Sequence, residues 1–169
     1  MEEDNINILI IGGLGFIGLS LTTFLLATEK FNINVVDKRK FYGDRWADNN
    51  LMIFDEVDTA SDQFLYQDSE RFYIDDGMYF KKPDIILHLG EYSRVERSLE
   101  NRAEINKVLM SNYAGTTNVI KKFIENAPDS LFLYAGSSTR FSFDGAHQQS
   151  PYAFTKHSNA ELIKNLYKW

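Results

Sequence analysis

The sequence contains no cysteine. This absence excludes disulfide bonds, thiol catalysis and cysteine-ligated zinc, and it is compatible with a reducing, cytoplasmic setting. Histidine is also scarce, and His88, His147 and His157 do not form a metal-binding cluster in the sequence. We therefore expect no metal.

A net positive charge is absent as well. The 169 residues include 18 Lys and Arg against 24 Asp and Glu, which gives a formal net charge of -6. Binding to nucleic acid needs clustered Lys and Arg, so we expect no nucleic-acid partner, although a small anion can still bind locally. With 44% hydrophobic residues, this length predicts a single globular domain over residues 1–169.

One long uncharged run, residues 8–27, raises the alternative of a membrane span. The segment before it is acidic, unlike the start of a signal peptide, and three glycines spaced by three interrupt the run. A strand, a tight turn and the start of a buried helix explain the same apolarity. We therefore expect no membrane segment.

Short apolar runs alternate with longer helical patterns, which predicts an α/β fold with a doubly wound parallel sheet. Strands are predicted over residues 6–11, 33–36, 71–74, 84–89 and 130–135, and helices over residues 16–28, 101–126 and 151–168. Ser150 and Pro151 suit the cap and the first position of the last helix. Residues 41–70 lack a clean period, so their structure stays open.

A glycine turn lies between the first predicted strand and the first predicted helix. Gly12 permits a tight turn, Gly15 lets backbone amides approach a pyrophosphate, and Gly18 lets helix and sheet pack closely. The helix start at Phe16 and Ile17 attracts phosphate charge. The pattern therefore predicts a dinucleotide site; the alternative is a glycine-rich turn that binds nothing.

Asp37 ends the second predicted strand, about twenty residues beyond the last glycine, where a carboxylate can accept both ribose hydroxyls. This position favours NAD over NADP. Lys38, Arg39 and Lys40 follow directly, and a cation there can instead meet a 2′-phosphate. The alternative is that the three cations only form a solvated loop.

Hydroxyl side chains follow the fifth predicted strand, at Ser137, Ser138 and Thr139. Tyr152 and Lys156 come next, four residues apart on one face of the last predicted helix. A cation beside a phenol stabilises the phenolate, which a tyrosine needs in order to act as a base. The spacing alone is common on helix surfaces, so its place after the serine run and the glycine turn carries the interpretation.

Six motifs occur in one order along the chain: the glycine turn, Asp37, Phe72-Tyr73-Ile74-Asp75-Asp76, Ile86-Leu87-His88-Leu89, Asn112-Tyr113-Ala114-Gly115-Thr116 and Ser150-Pro151-Tyr152. As a set they resemble the extended short-chain dehydrogenase/reductase superfamily, in its branch of NAD-dependent sugar-nucleotide epimerases and dehydratases. The resemblance implies a Rossmann-like domain with NAD as cofactor. That family is usually about twice as long, so we expect this sequence to lack the family's C-terminal substrate-binding part and to be a fragment of a longer chain.

The resemblance also implies roles for single residues. Asp76 would meet the adenine amino group, and Leu89 and Asn112 would lie beside the cofactor. Tyr152 would take a proton from a sugar hydroxyl that Ser137 hydrogen-bonds. Ser138 and Thr139 are the alternatives for the role of Ser137, and Ser138 is also expected to contact the substrate. Lys156 would hold the nicotinamide ribose. The alternatives are a turn residue at Asp76 and an ordinary mid-helix polar residue at Asn112; His88 is expected to be structural.

Two departures from the family pattern bear on the reaction. Gly90 and Glu91 stand where the family commonly has two alanines beside the cofactor. Residues 137–139 offer no acid to expel water, which favours epimerisation, or simple oxidation and reduction, over dehydration. The reaction expected first is 4-epimerisation through a transient keto sugar. The rival interpretation is a noncatalytic dinucleotide-binding module.

The expected partners are a sugar-nucleotide substrate and a second copy of the chain. Tyr92, Ser93 and Arg94 resemble the family's substrate-facing segment, and Arg94 can meet a phosphate of a UDP- or dTDP-sugar. The alternative for Arg94 is a surface ion pair with Glu91 or Glu96. The resemblance also implies a homodimer that packs through the predicted helices over residues 101–126 and 151–168.

Overall fold

The computed structural model describes residues 5–42, 50–60, 66–68, 71–75, 78–140 and 150–166. The strands are β1 (Ile6–Ile11), β2 (Phe31–Val36), β3 (Leu51–Phe54), β4 (Tyr66–Asp68), β5 (Arg71–Asp75), β6 (Met78–Lys81), β7 (Ile85–His88) and β8 (Leu131–Tyr134). The α-helices are α1 (Phe16–Leu26), α2 (Arg102–Val108), α3 (Gly115–Asn126) and α4 (Pro151–Leu166), with a π-helical segment (Leu109–Ala114) between α2 and α3.

Five strands form one parallel sheet in the order β3-β2-β1-β7-β8. The chain builds outward from β1 to β3 and then returns to place β7 on the other side of β1. The strand order therefore reverses between β1 and β7, and open α/β sheets bind ligands in the crevice at such a reversal. The predicted doubly wound α/β fold is confirmed.

The two faces of β1 are buried in two separate clusters. Leu9 and Ile11 pack on one face of the sheet with Phe123 of α3. Ile8 and Ile10 pack on the other face, in the cluster that includes leucines of α1. Because helices cover both faces, the strand is apolar at every buried position and does not alternate with polar residues.

The helices begin close to their predicted starts. Asn101 caps α2 by accepting the backbone N–H of Glu104 at 3.1 Å, and Ser150 caps α4 by accepting the N–H of Ala153 at 3.1 Å. The helix predicted over residues 101–126 is interrupted by the π-helical segment. The helix predicted over residues 16–28 ends earlier, at Leu26.

The strand predicted over residues 71–74 exists as β5, but its predicted place in the parallel sheet is wrong. β4, β5 and β6 form a separate antiparallel sheet. Only two residues separate each strand from the next, and a link that short joins antiparallel neighbours, whereas a parallel pair needs a crossover of about a dozen residues or more. The edge strand beside β2 in the parallel sheet is instead β3. It lies within residues 41–70, for which the sequence pattern predicted no structure.

Among the described residues, no helix combines the length and the apolarity that a membrane crossing requires. The uncharged run over residues 8–27 is divided among β1, the glycine turn and α1.

Candidate functional site

The glycine turn between β1 and α1 lies at the reversal of strand order. Gly12 has a φ of +83°, which side chains disfavour, and a Cβ there would lie 2.4 Å from the Cα of Gly90, just after β7. A Cβ on Gly18 would lie 2.4 Å from the carbonyl oxygen of Gly12, so glycine lets α1 start against the turn. The sequence pattern assigned no role to Gly13. In the structure, a Cβ at this position would lie 2.6 Å from the Val35 side chain.

The first amides of α1 have no side-chain cap, because Gly15 precedes the helix. Phe16 and Ile17 in the first turn are 91% and 65% exposed. Uncapped amides at a helix N-terminus attract an anion. The cradle made by Gly12 and Gly90 and these free amides together fit a pyrophosphate.

Asp37 links the end of β2 to the glycine turn. Its buried carboxylate accepts the backbone N–H of Leu14 at 2.9 Å through one oxygen and that of Arg39 at 2.9 Å through the other. Each oxygen therefore keeps acceptor capacity for a ribose hydroxyl. The Arg39 guanidinium donates to the Leu14 carbonyl at 3.2 Å, and Lys40 lies 3.8 Å from Glu56. Two of the three cations considered for a 2′-phosphate thus have partners within the chain.

Leu89 and Asp76, two further predicted cofactor positions, differ in what the structure describes. Leu89 directly follows β7, and its N–H donates to the carbonyl of Ile11 at 2.8 Å, which places it beside the glycine turn. Asp76 lies outside the described residues, so its contact with adenine stays a prediction.

Asn112 is fully buried in the π-helical segment. Its side chain brackets the backbone of Tyr92: Oδ1 accepts the N–H at 2.6 Å and Nδ2 donates to the carbonyl at 3.0 Å. The Asn112 carbonyl accepts from Nδ2 of Asn159 on α4 at 2.8 Å. Asn112 therefore ties the segment after β7 to α4, and its contact with a cofactor stays a prediction.

Tyr152 and Lys156 lie one helical turn apart on α4, and both are buried. The Lys156 Nζ is 5.9 Å from the centroid of the Tyr152 ring and 4.8 Å from that of the Tyr134 ring. It donates to the carbonyl of Ala135, just after β8, at 2.7 Å. The structure therefore brings the predicted base and the predicted cation together at the carboxyl end of β8.

Ser137 and Ser138 follow β8 and line a cavity of about 480 Å³ against α4. The Ser137 and Thr139 hydroxyl oxygens are 2.9 Å apart, and Ser137 Oγ accepts the N–H of Thr139 at 3.3 Å. Tyr152 is not among the described residues that line this cavity. The joint action of Ser137 and Tyr152 on one hydroxyl therefore stays a prediction.

Glu91 is the centre of a buried polar cluster, which we call the Glu91 cluster: Glu91, Thr116, Tyr134, Lys156 and Asn159. Glu91 Oε1 accepts from Thr116 at 2.6 Å, from Asn159 at 2.9 Å and from Tyr134 at 3.0 Å. Oε2 forms an ion pair with Lys156, and the Glu91 and Lys156 side chains are only 3% and 6% exposed. Sequence reasoning noticed the carboxylate as a departure but missed its role, because its partner stands 65 residues away.

Burial controls ionisation around the Glu91 cluster. It raises the pKa of Tyr134 above its ordinary range, and the negative charge of Glu91 raises it further. It lowers the pKa of His88 to about 4, and the smaller upward effect of Glu91 does not offset this. His88 Nε2 lies 2.7 Å from Thr116 Oγ1, which gives its own hydrogen to Glu91. Nε2 of a neutral ring must therefore donate this bond.

The predicted substrate-facing segment lies outside this buried cluster. The Tyr92 hydroxyl donates to Glu104 of α2 at 2.6 Å, and this hydrogen bond raises the pKa of the Tyr92 phenol. Ser93 and Arg94 are exposed. Within the described part of the chain, no ion pair joins Arg94 to either glutamate considered as its alternative partner.

Comparison with known proteins connects this site to one family. The sequence model of the NAD dependent epimerase/dehydratase family matches residues 8–168. A dTDP-glucose 4,6-dehydratase of Haemophilus influenzae is 27% identical over 183 aligned residues, which cover 94% of this chain and 50% of the relative. The chain thus spans about half the length of that curated relative.

Solved structures share the fold at lower identity. The UDP-Glc/GlcNAc 4-epimerase from Campylobacter jejuni superimposes with a TM-score of 0.72 at 22% identity, over 95% of this chain and 49% of that one. The Bordetella bronchiseptica enzyme WbmF in complex with NAD+ superimposes with a TM-score of 0.65 at 19% identity, over 94% of this chain and 44% of that one.

Proposed function

The chain belongs to the NAD-dependent epimerase/dehydratase family, and from that premise we propose that it is a sugar-nucleotide 4-epimerase or the cofactor-binding part of one. The observation that carries the proposal is the buried pair of Tyr152 and Lys156 on α4. Both residues follow, in the chain order of the family, a glycine turn that fits a pyrophosphate.

NAD is the cofactor of this family, and the residues present suit it. Backbone at Gly12, Gly90 and the start of α1 would hold the pyrophosphate, and Asp37 would accept the ribose hydroxyls. When bound, NAD supplies a reversible hydride acceptor, which permits transient oxidation to a keto sugar and reduction on its other face. The chain's own residues must then bind the sugar and move its hydroxyl proton.

Proton transfer is assigned to Tyr152. Its phenolate oxygen would take the proton of the sugar hydroxyl and return it after the keto sugar has turned over, so that no net proton is consumed. The Lys156 ammonium would stabilise the phenolate and contact the nicotinamide ribose, and Ser137 Oγ would hydrogen-bond the reacting hydroxyl. Residues 137–139 contain no carboxylic acid, which favours epimerisation over the dehydration named for the curated relative.

The proposed substrate is a UDP- or dTDP-sugar. The relatives described above are named for substrates of these two kinds. On this chain, the exposed Arg94 offers a cation for the diphosphate, next to Ser93 and to the backbone of Tyr92, which Asn112 fixes. Ser138 would be a further sugar contact.

The proposed assembly is a homodimer. Among the described residues, four large hydrophobic side chains are exposed on the helical segments predicted to pack between copies: Met110 is 55% exposed, Tyr113 45%, Ile124 49% and Phe154 42%. The centroids of the Tyr113 and Phe154 rings are 6.3 Å apart, which joins these two side chains of the π-helical segment and α4 in one apolar patch. Light scattering that shows only monomer at high concentration would overturn the dimer.

The reaction is tested by incubating a full-length version of the protein with NAD and a panel of UDP- and dTDP-sugars, with products separated by chromatography. We expect epimerised sugar from at least one substrate, and a loss of turnover of about 100-fold or more in Tyr152→Phe. The matched control is Tyr113→Phe, which removes the same oxygen from a half-exposed tyrosine and should leave turnover within about twofold. Equal turnover in Tyr152→Phe and the wild type would contradict the assigned base.

A second candidate function is a noncatalytic NAD-binding module. Two observations favour it: the chain spans about half of its curated relative, and Lys156 is already held by Glu91. Calorimetry separates the candidates, because a module would bind NAD and neither bind nor convert a sugar nucleotide.

A further inference from the structure

Four side chains converge on the Glu91 carboxylate from three parts of the fold. Thr116 comes from α3, Tyr134 from β8, and Lys156 and Asn159 from α4. Each of them donates to the carboxylate. A buried acceptor with this many donors belongs to an organised site, because each unpaired polar group there would carry a desolvation cost.

Two of the donors to Glu91 are themselves fixed by further hydrogen bonds. His88 donates to the Thr116 oxygen, which leaves the Thr116 hydrogen directed at Glu91. Asn159 divides its Nδ2 hydrogens between Glu91 at 2.9 Å and the Asn112 carbonyl at 2.8 Å. The carboxylate is therefore fixed by the surrounding elements independently of Lys156.

Lys156 is the member of the Glu91 cluster that carries a positive charge. Of its three ammonium hydrogens, one goes to Glu91 and one to the carbonyl of Ala135 at 2.7 Å. Among the described residues, the third hydrogen has no acceptor and is left for another group. Without the carboxylate, the same ammonium would be a buried cation with only a neutral partner, which proteins avoid by moving the group or its proton.

We propose that Glu91 is the positioning residue for Lys156: it holds and charge-balances the ammonium so that one N–H is presented to the cofactor. This inference rests on the proposed function, in which Lys156 contacts the nicotinamide ribose of NAD. Glu91 itself touches no reacting atom and acts through Lys156.

The test compares two ligands by calorimetry. NAD contains the nicotinamide ribose, whereas ADP contains only the adenosine diphosphate that the glycine turn would hold. In Glu91→Gln, NAD affinity should fall about 10-fold, the effect of one lost hydrogen bond from a charged group, while ADP affinity stays within about twofold. A general structural defect would weaken both ligands. The matched control, Glu125→Gln, removes an exposed ion pair with Lys121 and should change neither affinity.

A second comparison decides the matter if Glu91→Gln does not fold. The double variant Glu91→Gln/Lys156→Met removes both buried charges, a change that folded proteins often tolerate. Because Glu91 acts through Lys156, the double variant should bind NAD as Lys156→Met alone does. A further loss in the double variant would overturn the proposal.

Two other outcomes would also overturn it, in distinguishable ways. If NAD binds the wild type and Glu91→Gln equally, or binds Glu91→Gln more tightly, Glu91 does not position Lys156, and the proposed function is unaffected. If the wild type binds neither NAD nor ADP, the proposed cofactor site fails, and the role of Glu91 fails with it.

Discussion

The glycine turn and the Glu91 cluster lie at the same edge of the sheet but are built from different material. The turn is formed mostly by the backbone of residues 12–18, and it depends on glycines because they have no side chain. The Glu91 cluster consists of side chains delivered by α3, β8, α4 and the segment after β7. A site formed by local backbone has little space for an added side-chain atom. A site formed by side chains from distant elements depends on each buried charge having a partner of opposite sign.

The largest effect is expected from Lys156→Met, which leaves the Glu91 carboxylate buried without its cation. Breaking a buried ion pair from one side costs about 3–5 kcal/mol. Urea unfolding followed by fluorescence measures the loss. The control is Lys164→Met, whose pair with Glu161 on the surface of α4 spans 3.7 Å and should cost under about 0.5 kcal/mol. If the two variants lose equal amounts of unfolding free energy, burial adds nothing to the importance of the ion pair between Lys156 and Glu91.

In the glycine turn, Gly12→Ala should destabilise the fold by about 3 kcal/mol and abolish NAD binding. The new Cβ would lie 2.4 Å from the Gly90 Cα at a φ of +83°, so both the dihedral and the contact must change. The control is Gly136→Ala, where an added Cβ meets nothing within 4 Å. Unfolding and calorimetry check both variants. Wild-type NAD affinity in Gly12→Ala would refute the view that the turn tolerates no added atom.

His88 should make the Glu91 cluster sensitive to acid. Its pKa is about 4 in the fold and about 6.5 when unfolded, so the unfolded chain binds an extra proton between these values. The free energy of unfolding therefore falls as pH drops from 6.5 to 4, by up to about 3 kcal/mol from this residue. His88→Gln, which keeps a donor for Thr116, should flatten that slope. Measuring the free energy of unfolding at several pH values checks this prediction. A slope in His88→Gln equal to that of the wild type would contradict the role assigned to His88.

The smallest effect is expected at the start of α4, the helix that carries Tyr152 and Lys156. Ser150 Oγ accepts the Ala153 N–H at 3.1 Å, and Ser150→Ala should cost about 1 kcal/mol. The control is Ser150→Asp, which keeps a capping oxygen and should cost less. Thermal unfolding compares the two, and an equal loss in both would place the effect outside the cap.

Sequence reasoning predicted the elements whose cause is local. β1 is confirmed at residues 6–11, because an apolar run stopped by glycine has one simple interpretation. The start of α4 and its Ser150 cap are confirmed for the same reason. The place of β5 was wrong, because a short apolar run does not reveal whether its partner is the next strand along the chain or one across a crossover.

The candidate site divides in the same way. The proximity of Tyr152 and Lys156 follows from four residues on one helix, and the glycine turn follows from the spacing of three glycines. The partner of Lys156 does not follow, since Glu91 stands 65 residues earlier and was visible only as an unexplained carboxylate. Asn159 belongs to none of the motifs in the sequence, so its hydrogen bond to the Asn112 carbonyl could not be predicted.

The apolar strands, the glycine turn and the pairing of tyrosine with lysine follow from local sequence, because backbone dihedrals and helical periodicity act over a few residues. The closing of the turn by Gly90 and the ion pair of Glu91 with Lys156 arise only when distant parts of the chain fold together. Those contacts join residues that meet when β7 enters beside β1 and α4 packs over its end. Burial in the folded chain is what turns a carboxylate and an ammonium into obligatory partners.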